Sequence, residues 1–83
     1  MISKVEKARL EWHCRRGMLE LDLILMPFAK KNLNDMAEKQ ITSFDKMLSF
    51  SDPELYSWLM GYAFPEDKEI LEIVKFIQFK HQP

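Results

Sequence analysis

The sequence is poor in the residues from which most active sites are built. It has one cysteine, two histidines and two glycines in 83 residues. A lone Cys14 can close no internal disulfide, which fits a reducing compartment. Cys14 and two histidines far apart in sequence, His13 and His81, leave too few ligands for a structural zinc site. Gly17 and Gly61 cannot between them make a dinucleotide or phosphate loop. His13 and Cys14 are adjacent, but neighbours on a helix point about 100° apart and make a poor base–nucleophile pair. No catalytic or metal-ligating residue is therefore assigned. A net charge of −1 lacks the basic excess of a protein that neutralises phosphates, so nucleic acid is not an expected partner. The apolar run from Leu23 to Ala29 falls far short of the ~20 residues that span a bilayer, so no membrane insertion is expected. Charges interrupt the N-terminus from Lys4 onward, against a signal peptide, and the chain reads as cytoplasmic.

What is present is enough for one helical domain over residues 1–83. Hydrophobic residues make up 47% of the chain and aromatics 12%, a globular rather than a disordered composition. A chain of this size buries roughly 60–65% of its unfolded surface, so its core is modest. Charge is uneven: residues 1–31 hold seven Lys/Arg against four Asp/Glu, while 32–83 hold five against nine. A mildly basic first third on an acidic body can orient a protein partner.

Periodicity predicts five helices. Over 2–15, Ile2, Val5, Ala8 and Trp12 form one apolar stripe, with Leu10 and Cys14 as a secondary pair. Residues 19–25 alternate like a strand, but leucine, glutamate and methionine are not β-branched, and no second strand exists to pair with. A helix over about 18–32 is the better reading, with a kink or early end at Pro27. Lys30–Asn34 reads as a polar loop. A third helix over about 37–49 carries Ile41, Phe44, Met47 and Leu48. Asp52 is expected to cap a fourth, begun by Pro53, carrying Leu55, Trp58, Leu59 and Tyr62 and stopping near Gly61. Pro65 is expected to open the fifth, with Glu66 and Asp67 in its first turn and Ile70, Ile73, Val74 and Ile77 buried. The fold class is all-α, a small bundle of five short helices. Trp12 and Trp58 both sit on helical stripes and are read as core.

The densest cluster of unusual residues is Trp12-His13-Cys14-Arg15-Arg16-Gly17-Met18-Leu19-Glu20-Leu21-Asp22, followed by Met26-Pro27-Phe28. Two readings of Arg16 and Glu20 stay open from the residues alone. One is an i, i+4 pair, or Glu20 at the third position of a helix that starts at Gly17. The other is an exposed basic-glycine-acidic patch that engages a partner. Asp22, set among leucines, belongs either on the solvent edge or in a paired, buried position beside the arginines.

This string resembles the signature of the SdhE family, small helical assembly factors for the flavoprotein subunit of succinate dehydrogenase. Asp52-Pro53-Glu54-Leu55 and Trp58-Leu59-Met60 are similar to the same family further along. The resemblance implies a five-helix bundle that binds that flavoprotein subunit and, in some bacteria, that of fumarate reductase. It implies promotion of covalent FAD attachment to a histidine of the partner, in a largely autocatalytic step that needs no base from the assembly factor. FAD is then the partner's cofactor, and none is held stably by this chain. The family's Arg-Gly-x-x-Glu element maps onto Arg16, Gly17 and Glu20, with Arg15 and Asp22 added by proximity. The expected state is a monomer, with weak self-association through a patch including Trp58 as the alternative. An antitoxin-like or other helical regulatory role is the rival reading.

Overall fold

A computed structural model describes residues 2–81. Five α-helices follow one another: α1 (Lys4–His13), α2 (Leu19–Asn32), α3 (Glu38–Met47), α4 (Asp52–Leu59) and α5 (Lys68–His81). A 3₁₀ turn, Leu33–Asp35, extends α2, and no strand occurs among the described residues. α2 and α5 are the two long members. α5 packs on α3, α4 and α2, while α2 also receives α1 and α4.

The buried faces of the last three helices follow from their spacing. Ile41, Phe44 and Met47 of α3, Leu55, Trp58 and Leu59 of α4, and Ile70, Ile73, Val74 and Ile77 of α5 are all buried. Rings lock these faces together: Phe28 lies 5.4 Å from Phe44 and 5.8 Å from Phe76, and Phe50 lies 5.1 Å from Trp58. The leucine alternation in α2 resolves as a helix. Leu21 and Leu25 join Ile24, Phe28 and Ala29 inside, whereas Leu19 and Leu23 face out. Pro27 does not end the helix, which runs on to Asn32.

Several expectations require correction. Lys30–Asn34 is not a loop, because Leu33 is fully buried and draws the chain on from α2 through the 3₁₀ turn. Within α1 the expected stripe is inverted: Val5, Ala8 and Trp12 are exposed, and Leu10 and Cys14 are buried, while Ile2, ahead of the helix, is half-buried against the core. At 3.6 residues per turn those two sets lie on roughly opposite sides of the helix. A peripheral helix can bury only one side, and α1 buries the Leu10–Cys14 edge. Trp12 is thus 69% exposed rather than core. Trp58 is buried against Phe50, so it cannot form the patch expected to support self-association.

The helix starts also shift. Ser51, not Asp52, caps α4: its extended backbone puts its hydroxyl on the Glu54 N–H, and Glu54 reaches back in a capping box. α5 begins after Asp67, whose carboxylate accepts from the N–H groups of Glu69 at 2.8 Å and Ile70 at 3.2 Å. Pro65 therefore lies in the connection, not in the first turn. Tyr62 falls beyond α4 and is exposed.

Candidate functional site

The corner between α1 and α2 is where the expected site residues converge. α1 ends at His13, with Cys14 at its C-cap, and four residues, Arg15 to Met18, turn the chain before α2 begins at Leu19. Gly17 has φ +82°, the left-handed region that costs other residues about 1–2 kcal/mol. A Cβ built there meets nothing within 4 Å, so the surface over Gly17 is open backbone.

Arg16 turns away from that open face. Its Nε–H donates to Asp52 Oδ1 at 2.8 Å, on the first turn of α4. Its Nη1 donates to the Leu48 carbonyl at 2.9 Å and the His13 carbonyl at 3.1 Å, and its Nη2 to the Phe50 carbonyl at 2.9 Å. Leu48 and Phe50 follow the C-terminal end of α3, where helix carbonyls lack intrahelical partners and the dipole favours a cation. The Arg16 backbone N–H donates to Asp22 Oδ1 at 3.0 Å. One residue thereby joins α1, the α3–α4 turn, α4 and α2.

The expected Arg16–Glu20 pair does not form. Arg16 spends its fork on the other side of the corner, and Glu20 stands exposed at the second position of α2, not the third. No ion-pair partner of Glu20 occurs among the described residues. Asp22 is half-buried and paired, but with the arginine's main chain rather than a guanidinium. Arg15 is exposed, its guanidinium 6.0 Å from the centre of the Trp12 ring. The structure therefore brings Arg15, Gly17 and Glu20 to the surface of one corner and sets Arg16 and Asp22 behind it.

Trp12 and Arg15 form a ridge between two open hollows. One, of about 290 Å³, lies toward Met26 and Lys30 of α2; the other, of about 400 Å³, lies toward Asp45 of α3 and Leu48 just after it. Leu19 and Leu23 extend the apolar surface along α2, at 68% and 60% exposure. Reading Trp12 as core missed this ridge. The signal that could have found it is the second apolar edge, Leu10 and Cys14, on the opposite side of α1.

Beneath the corner, Cys14 is fully buried. Burial pushes its thiol up to about 12, partly offset by the Arg16 charge. A neutral thiol held this way is packing, not a nucleophile. Among the described residues no group of three or more His, Cys, Asp or Glu could hold a metal ion. Among the same described residues no helix is long and apolar enough to cross a membrane.

The chain is similar to known proteins over most of its length. The FAD assembly factor SdhE of Legionella pneumophila (strain Lens) is 55% identical over 73 residues, covering 88% of this chain and 91% of that protein. The FAD assembly factor SdhE of Colwellia psychrerythraea is 45% identical over 76 residues, covering 92% and 84%. That of Photorhabdus laumondii is 41% identical over 76 residues, covering 92% and 86%. A family model described as flavinator of succinate dehydrogenase matches residues 8–81, from the outer face of α1 to the last residue of α5. The chain belongs to the succinate dehydrogenase flavinator family.

Proposed function

We propose that this protein is a non-enzymatic assembly factor that binds the flavoprotein subunit of succinate dehydrogenase and promotes covalent attachment of FAD to it. The single observation that carries the reading is the family match across residues 8–81. The chemistry of the α1–α2 corner agrees with it. No side chain there is poised as a base or nucleophile, while open backbone at Gly17 lies between an exposed cation, Arg15, and an exposed carboxylate, Glu20. A partner strand or loop can approach such a backbone without meeting a Cβ.

On this reading the corner of Arg15, Arg16, Gly17, Glu20 and Asp22 is the surface on which the flavoprotein docks, flanked by Trp12. The protein acts by holding its partner in an arrangement in which attachment proceeds. FAD belongs to the partner, and the assembly factor works as a cytoplasmic monomer. The flavoprotein subunit of fumarate reductase, the second partner that the resemblance implies, docks on the same corner.

The test is covalent flavin on the flavoprotein subunit in cells lacking this gene, read as in-gel fluorescence of the denatured protein. Complementing copies are wild type, Gly17→Arg and Glu20→Ala. Flavinylation is expected to drop without the gene and to return with wild type alone. Flavin that is unchanged in the deletion strain refutes the assembly role. If Gly17→Arg unfolds the protein, recognition at Gly17 loses its support.

A further inference from the structure

We infer that Arg16 is a positioning residue: it clamps the α1–α2 corner onto the α3–α4 turn, so that Arg15, Gly17 and Glu20 face the flavoprotein while Arg16 itself does not touch it. The inference rests on the docking surface proposed above and divides that surface by role.

A guanidinium has five N–H donors in a rigid planar fork. Four distinct acceptors inside the protein take the Arg16 fork: the carbonyls of His13, Leu48 and Phe50, and the Asp52 carboxylate. Little donor capacity is left for a partner. The side chain is also only 17% exposed, and that of Asp52 29%. Burial of an arginine with this many internal acceptors marks a structural joint, because a lost partner would leave a desolvated charge.

The joint acts on the exposed residues through the main chain. Gly17 follows Arg16 directly, and among the described residues its own N–H and carbonyl make no hydrogen bond within the chain. Its placement is set by Arg16, held on one side by the fork and on the other by Asp22 at the start of α2. Asp52 belongs to α4, outside the corner in sequence, yet it anchors the fork at 2.8 Å. Removing its charge should loosen Gly17 and Glu20 without altering either residue.

Asp52 gives the discriminating experiment. The full chain is prepared as wild type, Asp52→Asn, Arg16→Ala and the double variant, with Ile73→Val in α5 as a control that weakens the core away from the corner. Affinity for the purified flavoprotein subunit is measured by calorimetry, and exchange of the Arg16 amide proton by NMR without the partner. Asp52→Asn is expected to weaken binding ~10-fold, the factor equivalent to 1.4 kcal/mol, and to speed Arg16 amide exchange. The double variant should bind no more weakly than Arg16→Ala, and Ile73→Val should leave affinity unchanged. Wild-type affinity in Asp52→Asn overturns the clamp, and so do losses that multiply in the double variant, which mean that Arg16 acts on the partner independently of Asp52. Loss of affinity in Ile73→Val also overturns it, reducing the effect to stability. Should Arg16→Ala not fold, Asp52→Asn decides alone. Wild type that fails to bind the flavoprotein overturns the docking reading as well, and is told apart by amide exchange, which needs no partner.

Discussion

The two glycines adopt almost the same backbone, φ +82° at Gly17 and +80° at Gly61, and a Cβ at either would meet nothing within 4 Å. Their surroundings differ. Gly61 completes a Schellman motif at the end of α4: its N–H reaches the Trp58 carbonyl at 3.2 Å, and the Tyr62 N–H reaches the Ser57 carbonyl at 2.8 Å. Tyr62 then packs against Tyr56, with ring centres 6.1 Å apart, the apolar contact usual for that motif. Every requirement for glycine at position 61 is met by the helix it terminates.

Gly17 closes no such motif. α1 is finished at Cys14, three residues earlier, by hydrogen bonds to the Leu10 and Glu11 carbonyls. The left-handed turn at Gly17 is held by side chains instead, through Arg16 and Asp22. A glycine demanded by a helix end is accounted for by folding. On the docking reading proposed above, a glycine whose open face is kept in place by an arginine tied to α1, the α3–α4 turn, α4 and α2 is explained by what approaches it.

Exchanging the substitutions gives the largest expected contrast. Gly17→Arg and Gly61→Arg should each lose about 1–2 kcal/mol in a urea melt, because both place a side chain at positive φ. A domain of this size is stable by about 4–12 kcal/mol and should remain folded. Flavinylation should be abolished by Gly17→Arg and retained by Gly61→Arg. Equal loss in both would erase the distinction between the corners.

Cys14, directly under the first corner, supplies a second and smaller contrast. Its thiol should react with an aromatic disulfide reagent at neutral pH only as fast as the corner opens. Arg16→Ala should speed that reaction, whereas Tyr62→Ala, at the other corner, should not. The same burial has a pH signature. The folded thiol titrates at about 12 against an ordinary 9.0, so between these values the folded state holds a proton that the unfolded state has lost. Stability present below pH 9 is therefore lost as pH rises toward 12, at no more than about 1.4 kcal/mol per pH unit. Denaturant melts of wild type and Cys14→Ala across this window should converge on the alkaline side. Parallel curves would show that the thiol is not the source.

The smallest expected effect lies beyond the second corner. The Lys46 ammonium, hydrogen-bonded to Asp67, holds that carboxyl below its ordinary value, with help from the Ile70 and Glu69 N–H groups. A depressed carboxyl contributes stability above its ordinary range and loses it as pH falls through the folded value. Asp67→Asn keeps a capping oxygen and removes the charge, so it should flatten the acid limb of a circular-dichroism titration. Because the pair is solvent-exposed the change should be slight and should fade in salt. An acid limb identical to wild type would assign it to other carboxylates.

How much of this could be read from the chain varies by region. The buried faces of α3, α4 and α5 were legible because each shows a single apolar stripe, and a single stripe leaves one face to bury. Ser51 escaped because Asp52-Pro53 looks like a better start. Only the geometry shows that Asp52 is taken up by an arginine 36 residues away. The residues left Arg16 and Glu20 open between a local pair and an exposed patch around Gly17, and Arg15 entered only by proximity to the family element. The partners of Arg16 were not legible, since local spacing offered Glu20 and the fold offered three carbonyls and Asp52 instead.

By itself the sequence determined the helical class, the number of helices, and the concentration of unusual residues at Arg15–Asp22. Those follow from period, propensity and punctuation, which act over a few residues and need no knowledge of neighbours. Tertiary structure alone decided which of two apolar edges of α1 is buried, leaving Trp12 at the surface, and which acceptors hold Arg16. Such choices depend on which helices meet, because a helix face or a guanidinium has several local options and only packing selects one.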